Sequence, residues 1–397
     1  MFEDKKNESF LMPNYNRASI NFEKGRGSWL ITKKGEAYLD VATGIAVNIF
    51  GHSDKLLTDA LCSQAKKLWH VSNLYEIPEQ EFLAKRLCGY ANLDKVFFCN
   101  SGLEANEAAV KIARRYHYSK KQLNKNIILC VDNAFHGRSL AMLAATDNNE
   151  YRKGFGPIPE GFKHVKFNDI EDLERNVNED VAAIMIEPVQ GEGGVMASSQ
   201  EYMQMLTKIA KKFDCLVIMD EVQCGMYRTG KIFAYKHYNI QPDLVVLAKG
   251  LGGGFPIGAV ISSEKIGAQM VPGTHGSTFG GNPLAVAVSN AVIDGLEREG
   301  FINLLRENIK FLDNMLDKLK VEFENLISEI RGKGFLRGLK LKKELSASIL
   351  VTELRKEKIL TVPAGGNVIR ILPPLNVKKD ELKFLKNKIS ICLKKLS

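Results

Sequence analysis

The sequence predicts an α/β protein: a large domain with a mostly parallel sheet sandwiched by helices, joined to a smaller α+β domain. Three observations carry this. Short apolar runs, "KVFFC", "NIILCV", "VAAIMIE", "CLVIMD" and "DLVVLA", alternate with helical segments such as "NEAAVKIARRYHY" and "SQEYMQMLTKIAKKF". The runs are apolar at successive positions instead of every second one, as strands covered on both faces are. The chain is 397 residues long, enough for two domains, and no run approaches the roughly 18 uninterrupted apolar residues of a membrane span.

In chain order, residues 1–55 hold strand-like pieces such as "SWLITKKGEAYLDV", with a turn at Lys34-Gly35, and lead into "ATGIAVNIFGH". This segment is assigned to the small domain. Residues 56–290 carry the strand–helix alternation and form the large domain. Residues 291–397 begin with one long amphipathic helix, "GFINLLRENIKFLDNMLDKLKVEFENL", and continue as an α+β tail that completes the small domain. There is no internal repeat, low-complexity stretch or long linker.

Composition, 45% hydrophobic and 25% charged, is that of a soluble globular protein. The net charge of +9 comes with lysines gathered toward the C-terminus, as in "NVKKDELKFLKNKIS". There acids interrupt the lysines and apolar residues recur at helical spacing, which describes a solvated helix face and argues against nucleic-acid binding. The opening "MFEDKKNESF" lacks the apolar core of a signal peptide, so a cytoplasmic protein is expected. The seven cysteines are scattered without a C-x-x-C pair, and the seven histidines lack ligand spacing, so no metal site is expected.

Open parallel sheets bind ligands beyond the carboxyl ends of their strands. Three ionisable residues fall there: Glu187 after "VAAIMI", Asp220 ending "CLVIMD", and Lys249 after "DLVVLA". Asp220 and Lys249 have two readings. One is an internal salt bridge. The other follows from the glycines after Lys249, which let a planar ligand approach the backbone, and from the nucleophilicity of a desolvated amine toward a carbonyl. A Schiff-base lysine with an acid opposite the ring nitrogen is the arrangement that pyridoxal phosphate uses. A phosphate cradle is offered by "FFCNSGLEANEAAVKIARRY", where a strand runs through Asn100, Ser101, Gly102 and Leu103 into a helix. The same residues also read as plain capping, with Ser101 at the N-cap and Glu104 at N3. Neither G-x-G-x-x-G nor a P-loop is present among the glycines at 250–254.

Residues 216–260, "LVIMDEVQCGMYRTGKIFAYKHYNIQPDLVVLAKGLGGGFPIGAV", resemble the signature of the class III (ω-type) aminotransferases, pyridoxal-phosphate enzymes of fold type I. The likeness extends over nearly the whole chain, through "SGLEANEAAVKIAR", "AFHGRS", "IEPVQGEGGV", "THGSTFGGNPLA" and "IRILPPL". It implies pyridoxal 5'-phosphate as cofactor, with Lys249 on its aldehyde, Asp220 on the pyridine nitrogen, Gln223 on the ring hydroxyl and Phe135 against the ring face. Ser101 and the amides of Gly102 and Leu103 would hold the phosphate. Leu103 departs from the family's usual Thr or Ala, so only the amide contact carries over there. Thr278 matches the residue that reaches the neighbouring subunit's cofactor, which implies a homodimer with shared active sites. Taken singly, Phe135 reads as core, Gln223 as a surface helix residue and Thr278 as a turn residue; it is their joint order that points to function.

Within the class, "YLDVATGIAVNIFGH" and "PGTHGSTFGGNPLA" are most similar to the acetylornithine branch of arginine synthesis. That implies transfer of the terminal amino group of N2-acetyl-L-ornithine to 2-oxoglutarate, giving N-acetyl-L-glutamate 5-semialdehyde and L-glutamate. Such a pair needs two carboxylate anchors. Arg138 is the distal candidate, able to grip bidentately. Arg370 is the proximal one, Glu192 resembles the acid that masks it, and Ser277 stands where the family touches the acylated substrate. On residues alone, Arg370 could equally lie on an exposed edge strand beside Pro373 and Pro374. Ile45 replaces the tyrosine of ornithine aminotransferases, which favours an acylated donor. Succinylornithine, N-succinyl-diaminopimelate, 4-aminobutyrate and ornithine remain alternatives, as does an aminomutase of the same fold. A cofactor-binding regulator would need a DNA-binding module, and the sequence offers no helix-turn-helix or basic domain.

Overall fold

A computed structural model describes residues 9–396. Its centre is a seven-stranded sheet in the spatial order Lys95–Cys99, Gly258–Ser262, Leu244–Leu247, Leu216–Asp220, Val181–Ile186, Ile127–Val131, Phe162–Val165. The last five pair in parallel. Gly258–Ser262 runs antiparallel to both of its neighbours.

Successive side chains of a strand point to opposite faces, and here both faces are apolar. Leu129, Ile184, Ile186, Val217, Met219, Val245 and Leu247 belong to one buried cluster. Their chain neighbours Ile128, Cys130, Ala183, Met185, Ile218 and Val246 belong to another. The helix Gln200–Lys212 covers the first face with Tyr202, Met203 and Leu206. The helix Gly102–Ser119 covers the second with Ala105, Ala108, Ala109 and Ile112. Every residue of Val181–Ile186, Leu216–Asp220 and Leu244–Leu247 is buried, which is why these strands read as uninterrupted apolar runs.

Two four-stranded sheets lie outside this core. In one, Phe22–Arg26, Trp29–Thr32 and Ala37–Asp40 form a meander that Ile359–Leu360 joins in parallel. In the other, the order is Ile327–Lys333, Leu336–Leu341, Val368–Ile371, Val362–Ala364, all antiparallel. Val368–Ile371 is an internal strand, so Arg370 is not on an exposed edge. The long helix runs Phe301–Glu322 and is shorter than its pattern predicts, because Gly300 takes a left-handed φ of 75° before it and Phe323 leaves helical geometry after it.

Candidate active site

The carboxyl ends of the parallel strands border a cavity of about 450 Å³. It is lined by Ser101, Gly102, Leu103, Phe135, Arg138, Asp220, Gln223 and Lys249, among others. Eight sequence-selected residues from four separated segments thus meet in one space.

At one end, the loop after Lys95–Cys99 turns into the helix Gly102–Ser119. Ser101 is the N-cap, its Oγ accepting from the Glu104 amide at 3.2 Å, while a Glu104 carboxylate oxygen accepts from the Asn100 amide at 2.8 Å. The capping reading is therefore realised. It does not exclude anion binding, because the amides of Gly102 and Leu103 are among those no helical carbonyl can satisfy, and both residues border the cavity.

Asp220 is buried at the end of its strand. Its Oδ2 accepts from Asn106 Nδ2 at 2.8 Å and from His136 Nδ1 at 2.7 Å, and its Oδ1 from the Val222 amide at 3.0 Å. Lys249 is not its partner, so the internal salt bridge is not formed. Burial works to lower the His136 pKa, but the hydrogen bond and charge of Asp220 outweigh it and the net shift is upward. His136 Nε2 is buried with no partner. Neither Asn106 nor His136 was singled out from sequence. An asparagine, a poor helix former, inside the helical run "LEANEAAVKIA" and a histidine between Phe135 and Gly137 were the available signals.

Glu187 accepts from the Phe135 amide at 3.0 Å and the Gly191 amide at 3.3 Å. Burial, and next the charge of Asp220, push its pKa up to about 7. Lys249 takes a left-handed φ of 43°, a strained backbone for a side chain. Its ammonium makes no hydrogen bond or ion pair with any described residue, and burial lowers its pKa, favouring the free amine.

The two arginines differ in state. Arg370, 3% exposed, donates to Glu192 at 2.6 Å, to Gln223 Oε1 at 3.3 Å and to the Pro363 carbonyl at 3.1 Å. Gln223 is thereby buried in the site and not on a surface helix. Arg138 makes no hydrogen bond or ion pair among the described residues. Its guanidinium lies over the Tyr151 ring, 3.7 Å from the centroid. Glu192 borders a second cavity of about 330 Å³ that also adjoins Phe135 and Tyr151.

Ser277 and Thr278 do not border the main cavity. Ser277 Oγ accepts from the Gly280 amide at 3.0 Å and from Asn100 Nδ2 at 3.2 Å, so it shapes a turn beside the site. Thr278 is exposed. Ile45 is exposed too, in a run of left-handed residues from Thr43 to Ala46, and does not reach the cavity.

The family described as Aminotransferase class-III matches residues 11–393. The chain belongs to the class III aminotransferases. It is 48% identical over 371 residues to the acetylornithine aminotransferase of Agrobacterium fabrum, spanning 94% of this chain and 92% of that protein. It is 44% identical to the acetylornithine aminotransferase of Oceanobacillus iheyensis, over 97% and 96% of the two chains. Among solved structures, the N-acetylornithine aminotransferase of Stenotrophomonas maltophilia superposes with a TM-score of 0.84 at 33% identity, over 96% and 97% of the chains. An ornithine aminotransferase of Toxoplasma gondii, described with PLP at its active site, superposes with a TM-score of 0.92 at 30% identity, over 97% and 92%.

Class III aminotransferases are pyridoxal-phosphate enzymes of fold type I, and this chain's mostly parallel seven-stranded sheet has that architecture. Its residues fit the cofactor. An unpartnered amine at Lys249, a carboxylate at Asp220 with acceptor capacity left on Oδ1, and free helix amides at Gly102 and Leu103 border one cavity. A Cβ on Gly102 would stand 2.7 Å from Val222 Cγ1, so this glycine keeps the cavity wall open, and one on Gly191 would overlap Gln223, so that glycine leaves room for the Gln223 side chain. Among the described residues, no cluster of His, Cys, Asp or Glu could hold a metal, and no helix is long and apolar enough to cross a membrane.

Proposed function

We propose that this enzyme transfers the terminal amino group of N2-acetyl-L-ornithine to 2-oxoglutarate, a step of arginine biosynthesis, giving N-acetyl-L-glutamate 5-semialdehyde and L-glutamate. The observation that carries the reading is the unequal state of two arginines. Arg138 is open, and Arg370 is covered by Glu192 at 2.6 Å. With the donor, whose reacting carbon is remote from its carboxylate, Arg138 grips that carboxylate and Glu192 stays on Arg370. With 2-oxoglutarate, Arg138 takes the far carboxylate, and the near one displaces Glu192 from Arg370. Arginine suits both tasks because its planar fork matches a carboxylate.

Bound pyridoxal phosphate supplies an electron sink for the carbon that loses its proton. Lys249 would hold its aldehyde carbon, the amides of Gly102 and Leu103 with Ser101 its phosphate, Gln223 its hydroxyl and Phe135 its ring face. Asp220, fixed by Asn106 and His136, would keep a proton on the ring nitrogen. Lys249 Nζ, inclined by burial to the neutral amine, would take the substrate proton and return it at the far side of the transfer.

We infer a homodimer as the working form, with Thr278 serving the partner's site. Supporting this, Leu68, Trp69, Leu74, Tyr75 and Phe279 are exposed large apolar residues. They are joined into one surface by Asn73, which donates to the carbonyls of Ser277 and Gly280, both at 3.0 Å. The seven free cysteines fit a cytoplasmic, reducing setting.

The test is a coupled assay of glutamate formation from 2-oxoglutarate with four donors: acetylornithine, succinylornithine, succinyl-diaminopimelate and 4-aminobutyrate. The highest kcat/KM is expected for acetylornithine. No glutamate from that donor would remove the proposal.

A further inference from the structure

We propose that Tyr151 is the positioning residue that holds Arg138 ready for the distal carboxylate of both substrates. The proposal rests on Arg138 being the distal anchor. An arginine aimed at a ligand has to be held by something that does not compete with the ligand. A carboxylate partner would fix Arg138 but also mask it, as Glu192 masks Arg370 at 2.6 Å. An aromatic face avoids this, because stacking engages the guanidinium plane and leaves its N–H edges for the carboxylate. Arg138 is held in this way: its guanidinium carbon is 3.7 Å from the Tyr151 ring centroid and 5.6 Å from that of Phe135, with no hydrogen bond to any described residue.

The tyrosine is itself fixed. Its ring meets Phe135 edge-on, with centroids 6.3 Å apart. Its neighbour Arg152 donates to the carbonyls of Leu143, Ala144 and Thr146 at 2.9, 3.2 and 2.6 Å. Those carbonyls close the helix Leu140–Ala145, which begins at the Ser139 cap next to Arg138. Positions 138 and 151 therefore stand at two ends of one clamped unit, and rotation of the guanidinium away from its ligand-ready plane costs the stacking contact. The Tyr151 hydroxyl makes no hydrogen bond to a described residue, which assigns the role to the ring face. The ring also borders the cavity that Glu192 adjoins, and Phe135 lines both that cavity and the one Arg138 borders.

The experiment uses the holoenzyme with Tyr151→Ala, Tyr151→Phe, Arg138→Ala and the Ala/Ala double variant, with cofactor absorbance confirming that each is loaded. Tyr151→Ala is expected to raise KM for acetylornithine and for 2-oxoglutarate alike, by about tenfold, with kcat within about threefold. Its dissociation constant for glutarate, an unreactive dicarboxylate measured by calorimetry, should weaken by a similar factor. Tyr151→Phe should stay within about twofold of wild type on both counts, and adding Tyr151→Ala to Arg138→Ala should change nothing further. Unchanged glutarate affinity in Tyr151→Ala beside a weakened Arg138→Ala would overturn the proposal alone. So would a full additional loss in the double variant, or Tyr151→Phe behaving as Tyr151→Ala. Unchanged glutarate affinity in Arg138→Ala would overturn the anchor reading and this proposal with it.

Discussion

Asp220 has two further buried acids near it, Glu221 next in the chain and Glu187 at the end of the neighbouring strand, and the surroundings of each give it a different task. Asp220 gathers Asn106, His136 and the Val222 amide. Glu221 accepts from the Ala234 and Tyr235 amides at 2.8 and 2.7 Å, which makes it a structural clamp on the following loop. Burial pushes its pKa up to about 7, and pushes that of Glu187 to about 7 with help from Asp220. An acid whose pKa is higher in the folded than in the unfolded chain holds more protons when folded. Stability is then greatest at low pH and falls as pH rises from the unfolded value near 4.5 through about 7. In the cofactor-free protein, urea unfolding should show such a fall between pH 5 and 7.5. Glu187→Gln should remove a share of it on the order of 1–2 kcal/mol. Identical pH slopes in wild type and variant would show that Glu187 is not held protonated by the fold.

Elements carry the site through close approach of a helix start to a strand end. Alanine would suit the helical backbone at position 102. Its Cβ, however, would stand 2.7 and 3.0 Å from the two methyl carbons of Val222, a β-branched residue with little rotamer freedom whose amide is bonded to Asp220. The strain must displace either the first helical amides or the Asp220 turn. Gly102→Ala should therefore weaken pyridoxal phosphate binding by about tenfold at a stability cost of about 1–3 kcal/mol, read by cofactor titration, and an unaltered dissociation constant would refute the account. This scale also explains what could be read in advance. The parallel strands were legible because burial on both faces writes itself as apolar runs, and Glu187, Asp220 and Lys249 were legible because a charge at the end of such a run has no structural excuse. Gly258–Ser262 was not foreseen as a strand. It follows a glycine loop and runs against the parallel direction of Leu244–Leu247, and its other partner, Lys95–Cys99, is far away in the chain. Distance also hid the His136–Asp220 pair, while the Tyr151 face under Arg138 depends on how the short helix between them folds back, a contact that local pattern does not encode.

At the scale of the whole molecule, a single protomer leaves Thr278 exposed and outside its own cavity, beside an apolar surface of Phe279, Trp69, Leu74 and Tyr75. In the proposed homodimer a second copy covers this surface, and each Thr278 serves the other copy's cavity. The proposal can be tested by complementation. Lys249→Ala alone and Thr278→Glu alone should each be nearly inactive, the second because a carboxylate would meet the phosphate. If the sites are shared, a mixed dimer of the two chains has one site with both lesions and one with neither. The intact site takes Lys249 from the Thr278→Glu chain and Thr278 from the Lys249→Ala chain. Random reassociation of equal amounts makes half of the dimers mixed, so about a quarter of wild-type turnover should return on mixing. If Thr278 instead serves the cavity of its own chain, every site keeps one lesion and mixing restores nothing.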